Sequence, residues 1–169
     1  APTDVAAIRM LAEVAARLGR HDDAEHLLAR CLELSPQFAA ARQQYAMLLH
    51  RNNKPQLALA QIDWLQREDP GNASVSNLKA AVLCRTGDYG PAIDIYRDLV
   101  RQFPNQAKLF LSYGHALKTA GRGDEAIAAY RRCIAIEPGF GEAYWSLANL
   151  KTFRFDSNDV ATMRTQLRC

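Results

Sequence analysis

Apolar residues recur along the chain at steps of three and four, and strand-type alternation is absent throughout. Phe110, Tyr113 and Leu117 fall on one helical face, and Ile127, Tyr130 and Ile134 on another, with a short polar stretch between them. Extended along the chain, this pattern predicts ten helices, at about 4–18, 21–34, 38–52, 55–68, 72–86, 89–102, 106–120, 123–136, 140–152 and 157–168. Cap-capable residues stand near the starts of several: Thr3-Asp4, Arg20-His21-Asp22, Gly123-Asp124 and Asp156.

The punctuation between helices is periodic. Pro2, Pro36, Pro70, Pro104 and Pro138 are each 34 residues apart, and only Pro55 and Pro91 fall outside the series. Gly19, Asn53, Gly87 and Gly121 share that spacing, as do Ala24, Ala58, Ala92 and Ala126. Each series has a physical reason. Gly or Asn takes the left-handed conformation that closes a helix, so these residues end the first helix of each unit. Proline cannot continue a helix and closes the second. The alanines let two backbones approach, with Ala12, Ala46, Ala80, Gly114 and Ala148 as the small partners on the first helices. The chain is therefore an all-α array of antiparallel helical hairpins, about five units at 5–38, 39–72, 73–106, 107–140 and 141–169, the last with an atypical second helix.

The fourth unit carries Phe110, Tyr113-Gly114, Leu117, Ala126, Tyr130, Cys133 and Pro138. This order of large, small, aromatic and proline positions resembles the tetratricopeptide repeat family across the whole chain. The third unit departs most, with Ser76 and Lys79 where bulk is usual. The resemblance implies a single domain 1–169 folded as a right-handed superhelical solenoid. It also implies protein–protein interaction, with a peptide or partner domain held in a concave groove lined by the first helices. The equivalent positions for that groove are Arg9, Glu13, Gln43, Gln44, Met47, Asn77, Ala81, Lys108, Ser112, His115, Trp145 and Asn149. Members that grip a chaperone tail use two Lys, two Asn and an Arg at set places. Here those places read Arg9, Glu13, Gln44, Ser74 and Leu78, and Glu13 would repel the carboxylate, so that specialisation is excluded.

A second resemblance rests on Leu111-Ser112-Tyr113-Gly114-His115-Ala116-Leu117-Lys118-Thr119 and on 143–155, Ala-Tyr-Trp-Ser-Leu-Ala-Asn-Leu-Lys-Thr-Phe-Arg-Phe. Both segments are similar to bacterial proteins in which a tetratricopeptide array precedes a sulfotransferase domain. That likeness implies a non-catalytic arm positioning a downstream enzyme or its protein substrate. No catalytic residue of such an enzyme can be placed on this chain. A repeat-closing proline at position two predicts a preceding hairpin, and no polar capping helix is evident at either end. The chain is thus expected to be part of a longer protein, with self-association through bare ends as a consequence. Trp145, Phe153 and Phe155 exceed what the repeat asks for and are expected to pack on the final helix or to form a seam with a downstream domain.

Composition alters this picture little. A formal charge of +3 over 169 residues gives no reason to expect nucleic acid or an anionic membrane as partner. No apolar run approaches the roughly 20 residues of a membrane span, and nothing directs the chain out of the cytoplasm. Cys31, Cys84, Cys133 and Cys169 form no close pair, and they read as free packing thiols. His21, His26, His50 and His115 never pair at i, i+4, and no cysteine lies three residues away, which argues against zinc. No cofactor or catalytic motif is evident. Arg17, Arg51 and Arg85 form a ladder at one repeat position, with Lys118 beside its continuation. It admits two readings, a basic stripe for an acidic partner or cations that favour helix C-termini, and the position before each turn favours the second.

Overall fold

The computed structural model describes residues 4–166. Among them are ten α-helices and no strand: α1 (Val5–Arg17), α2 (His21–Leu34), α3 (Ala39–Arg51), α4 (Pro55–Glu68), α5 (Ala73–Thr86), α6 (Tyr89–Gln102), α7 (Ala107–Thr119), α8 (Gly123–Ile136), α9 (Gly141–Ala148) and α10 (Ser157–Gln166). The chain divides into two compact units, Ala1–Thr86 and Gly87–Cys169. Pro2, Thr3 and Cys169, on which part of the sequence reading rests, lie outside the described residues.

The punctuation acts as its chemistry requires. Gly19, Asn53, Gly87 and Gly121 have φ of 76°, 59°, 89° and 78°. At the end of α1 the Arg20 N–H donates to the Ala15 carbonyl at 2.9 Å and the Gly19 N–H to Ala16 at 3.2 Å, the paired bonds of a Schellman motif. Lys54 and Asn53 repeat this after α3, and Arg122 and Gly121 after α7. Pro36, Pro70, Pro104 and Pro138 each follow the last residue of a second helix by two positions. Pro55 opens α4, where its missing N–H would have had no helical partner.

Capping follows the sequence reading at α1 and α10 and departs from it at α2 and α8. Asp4 accepts from the Ala6 and Ala7 N–H groups at 3.0 and 3.2 Å. Asp156 and Asp159 bond to each other's backbone N–H, a reciprocal box at the start of α10. The starts of α2 and α8 instead fall on Arg20 and Arg122, which supply no capping oxygen. The reason is geometric: the Schellman turn is so short that one residue both finishes it and opens the next helix. Asp22, Asp23, Asp124 and Glu125 occupy the following first turns, where carboxylates favour the helix dipole. Asn72 caps α5 through the Ser74 and Val75 N–H groups, a role not foreseen.

In unit 1, α1 to α5 pack successively, each against the next. Ala12, Ala24, Leu28, Cys31 and Leu48 form one buried cluster, and Ala46, Ala58, Ile62, Leu65 and Val82 another. In unit 2, α6 packs on α7, α7 on α8, and α8 on α9. Its buried residues include Ala92, Ala126, Tyr130, Cys133 and Leu147. The fifth hairpin departs from the rest. Helix α9 ends at Ala148, four residues short of the predicted 152. The Trp145 carbonyl accepts both the Asn149 N–H at 3.1 Å and its side-chain amide at 2.8 Å, and the i−4 ladder then gives way to i−3 bonds. The next turns run Leu150 N–H to Leu147 and Phe153 N–H to Leu150. Ala148, expected at a helix crossing, is consequently exposed. The described part of α10 buries no residue and is held to α8 by a two-pronged Arg131–Asp159 bond at 2.8 and 3.0 Å.

Candidate functional site

In unit 1 the first helices α1 and α3 enclose an open pocket of about 510 Å³. Arg9, Glu13, Gln43, Gln44 and Met47, five of the residues expected from repeat position, line it together. Their convergence follows from helical spacing: Arg9 and Glu13 are four apart on α1, and Gln43, Gln44 and Met47 span one turn of α3. Met47 is half exposed, and Leu28 and Leu48 supply apolar floor. Asn77 and Ala81 are half-buried on α5 and do not line this pocket.

Two residues that the ladder reading had assigned to helix ends also line the pocket: Arg17 and Arg51. Each is the last residue of its helix, as the dipole account requires, and each also lines the pocket. Arg85, the third rung, bonds the Asn53 side chain at 3.1 Å instead. Glu13 is engaged by Arg17 at 2.6 Å and stands 4.0 Å from Arg9. Arg9 reaches the Gln44 side-chain oxygen at 3.4 Å, a long contact. Gln43 donates to the Ser74 hydroxyl at 2.9 Å, which ties α3 to α5.

Unit 2 presents the other expected residues. Lys108 and Asn149 are exposed, Ser112 and His115 half-buried, and Trp145 is 66% exposed. His115 Nε2 is 3.1 Å from the hydroxyl of buried Ser146, and its ring meets Tyr130 edge-on at 5.6 Å. Burial holds the imidazole below its ordinary pKa, with Lys118 acting in the same sense and Glu142 against it. Burial also pushes the Tyr130 phenol up to about 12. Phe153 and Phe155 are half-buried, in edge contact at 5.0 Å, with Phe155 6.5 Å from Tyr144 and the Arg131 guanidinium over Phe153. Of the three aromatic residues singled out in sequence, Trp145 is therefore the one left largely to solvent.

Cys31, Cys84 and Cys133 are free thiols. Burial raises all three pKa values, that of Cys133 to about 11, so they are poor nucleophiles. Among the described residues no helix is long and apolar enough to cross a membrane.

A family model described as tetratricopeptide repeat matches residues 4–136. The chain belongs to the tetratricopeptide repeat family. Solved structures of similar fold include a crystal structure of MamA, at TM-score 0.75 and 20% identity over 93% of this chain and 92% of that one. Residues 41 to the end of MamA from Desulfovibrio magneticus RS-1 give TM-score 0.79 at 15% identity, over 97% and 93%. At these identities the likeness is one of fold. The peroxisomal targeting signal receptors of Kluyveromyces lactis and Saccharomyces cerevisiae are 33% identical over 61 residues, 36% of this tetratricopeptide chain. The match spans 11% and 10% of those receptors' length.

Proposed function

We propose that this tetratricopeptide chain is a binding module that takes a peptide, or a segment of a partner domain, in the pocket between α1 and α3. The observation that carries the reading is the convergence of Arg9, Glu13, Gln43, Gln44 and Met47 around one open volume of about 510 Å³. Amide side chains there pair with a peptide backbone, and Met47 adapts to an apolar side chain. Lys108, Ser112, His115, Trp145 and Asn149 offer a further contact surface on unit 2, with Trp145 as its aromatic anchor.

The test is site-specific photo-crosslinking in the source cells, with benzoylphenylalanine at Gln44 or at exposed Gln56 on α4. A product from position 44 alone, competed by excess wild-type chain but not by a Met47→Glu chain, supports the groove. Equal labelling from both positions, or none from position 44, overturns it.

A second reading has the chain as the non-catalytic arm of a bacterial sulfotransferase. The exposed indole of Trp145 and the lack of buried residues in the described part of α10 favour it, since such surfaces suit a seam with a further domain. The mass of the natural protein on an immunoblot decides: a band near 18.8 kDa removes the arm, and a much larger one calls for a sulfate-transfer assay.

A further inference from the structure

The charge of the α1/α3 pocket is lopsided. Three guanidinium groups, Arg9, Arg17 and Arg51, line it against a single carboxylate, Glu13. That carboxylate is already occupied by Arg17 at 2.6 Å. Arg9 is left with two contacts at the long limit, 3.4 Å to Gln44 and 4.0 Å to Glu13. Arg51 pairs with no carboxylate among the described residues. Arg51 thus lines the pocket with no described carboxylate partner and Arg9 with only these long contacts, alongside the half-exposed Met47.

Building on the groove reading above, we infer that the occupant is an acidic peptide segment. Its carboxylates sit on Arg9 and Arg51, and an aliphatic side chain between them lies over Met47. Arg17, at 2.6 Å, offsets the Glu13 charge, so Glu13 does not bar carboxylates from the pocket in the way expected from sequence. Guanidinium forks suit carboxylates, and the two glutamine amides orient the backbone between them. A phosphate-rich or nucleic-acid ligand fits less well, since it leaves the apolar floor of Leu28, Met47 and Leu48 unused.

The probe is three pools of eight-residue peptides. Apolar positions are randomised, and the remaining positions carry Asp/Glu, Asn/Gln or Lys/Arg. Each pool is titrated into the intact ¹⁵N-labelled chain. The acidic pool is expected to shift the α1 and α3 amides, and the effect should shrink as salt shortens the screening length. Arg9→Gln and Arg51→Gln should each weaken it about fivefold, as for loss of one exposed ion pair. Arg51→Lys should retain most of the effect, and Arg101→Gln on α6 should change nothing. If the amide pool shifts α1 and α3 as strongly as the acidic one, the charge inference falls and the groove reading stands. If no pool moves those helices, both fall. Arginine variants that bind like wild type also overturn the inference.

Discussion

Gly114 and Tyr130 share one volume: a Cβ on Gly114 would stand 2.5 Å from Cε1 of the ring and 2.7 Å from Cδ1. The first two hairpins solve the same crossing with different sizes. There Ala12 shares a core with Leu28, and Ala46 with Ile62, both pairs sixteen residues apart like Gly114 and Tyr130. The largest second-helix residue meets the smallest first-helix one.

Gly114→Ala is therefore expected to destabilise unit 2 by about 1–3 kcal/mol, despite the better helix propensity of alanine. Adding Tyr130→Leu should recover part of that loss, so the double mutant falls short of the sum of the two single changes. Urea melts of the four proteins check this, and strict additivity would refute the shared volume.

Val14 and Leu48 occupy the same repeat position, 34 residues apart, yet Val14 is 51% exposed and Leu48 only 3%. Leu48 is covered by the preceding second helix, whereas Val14, with Leu11 and Leu18, faces outward from α1. Leu48→Ala should lower stability by about 2–5 kcal/mol and Val14→Ala by less than about 0.5 kcal/mol. Similar shifts in the two melts would contradict this difference in cover.

Glu25 accepts from Lys54 at 2.6 Å and from Asn52 at 3.0 Å. Burial alone would raise its pKa, but these bonds and the Lys54 charge outweigh burial and hold it below the ordinary 4.5. A depressed carboxyl stabilises the fold above its unfolded pKa, and that share is lost as pH falls through the lower folded value. Glu25→Gln should lower Tm by roughly 2–4 °C at pH 7 and by progressively less below pH 4.5. A mutant deficit that does not change with pH would show that the carboxylate charge is immaterial.

Helix α10 depends on polar ties more than on burial. Asp159 is held down in pKa first by its bond to Arg131, with burial opposing. Arg131→Ala should bring amide exchange across α10 close to the unprotected rate while leaving α7 and α8 protected. Unchanged protection in α10 would mean that Phe153 and Phe155 anchor it unaided.

Much of the fold is legible in one dimension because its determinants are local. A glycine at the end of a helix takes positive φ wherever it stands, and a proline two residues past an end stops a helix by its own ring. The glycine and proline series accordingly predicted eight helix ends, those of α1 to α8, to within a residue or two. The end of α9 escaped, since the Leu150 N–H turns to Leu147 while the pattern of apolar residues runs on past it. The capless starts of α2 and α8 escaped for a related reason: a Schellman turn decides which residue opens the next helix.

The groove was legible only in part. Repeat position alone placed Arg9, Glu13, Gln43, Gln44 and Met47 on one side of α1 and α3, because helical spacing assigns each residue a face. Whether Arg17 and Arg51 lie only at a helix end or also along a pocket depends on where the neighbouring helix lies, and in the structure they lie at both. The pairing of Glu13 with Arg17 rather than Arg9, the solvent exposure of Trp145 beside packed Phe153 and Phe155, and the contrast between Val14 and Leu48 are likewise decided by packing. The sequence by itself determined the repeat, its helices and their ends, since these depend on neighbours within a turn. Tertiary structure alone decided which charges remain unpaired and which apolar faces remain open, since those depend on side chains brought close from tens of residues away.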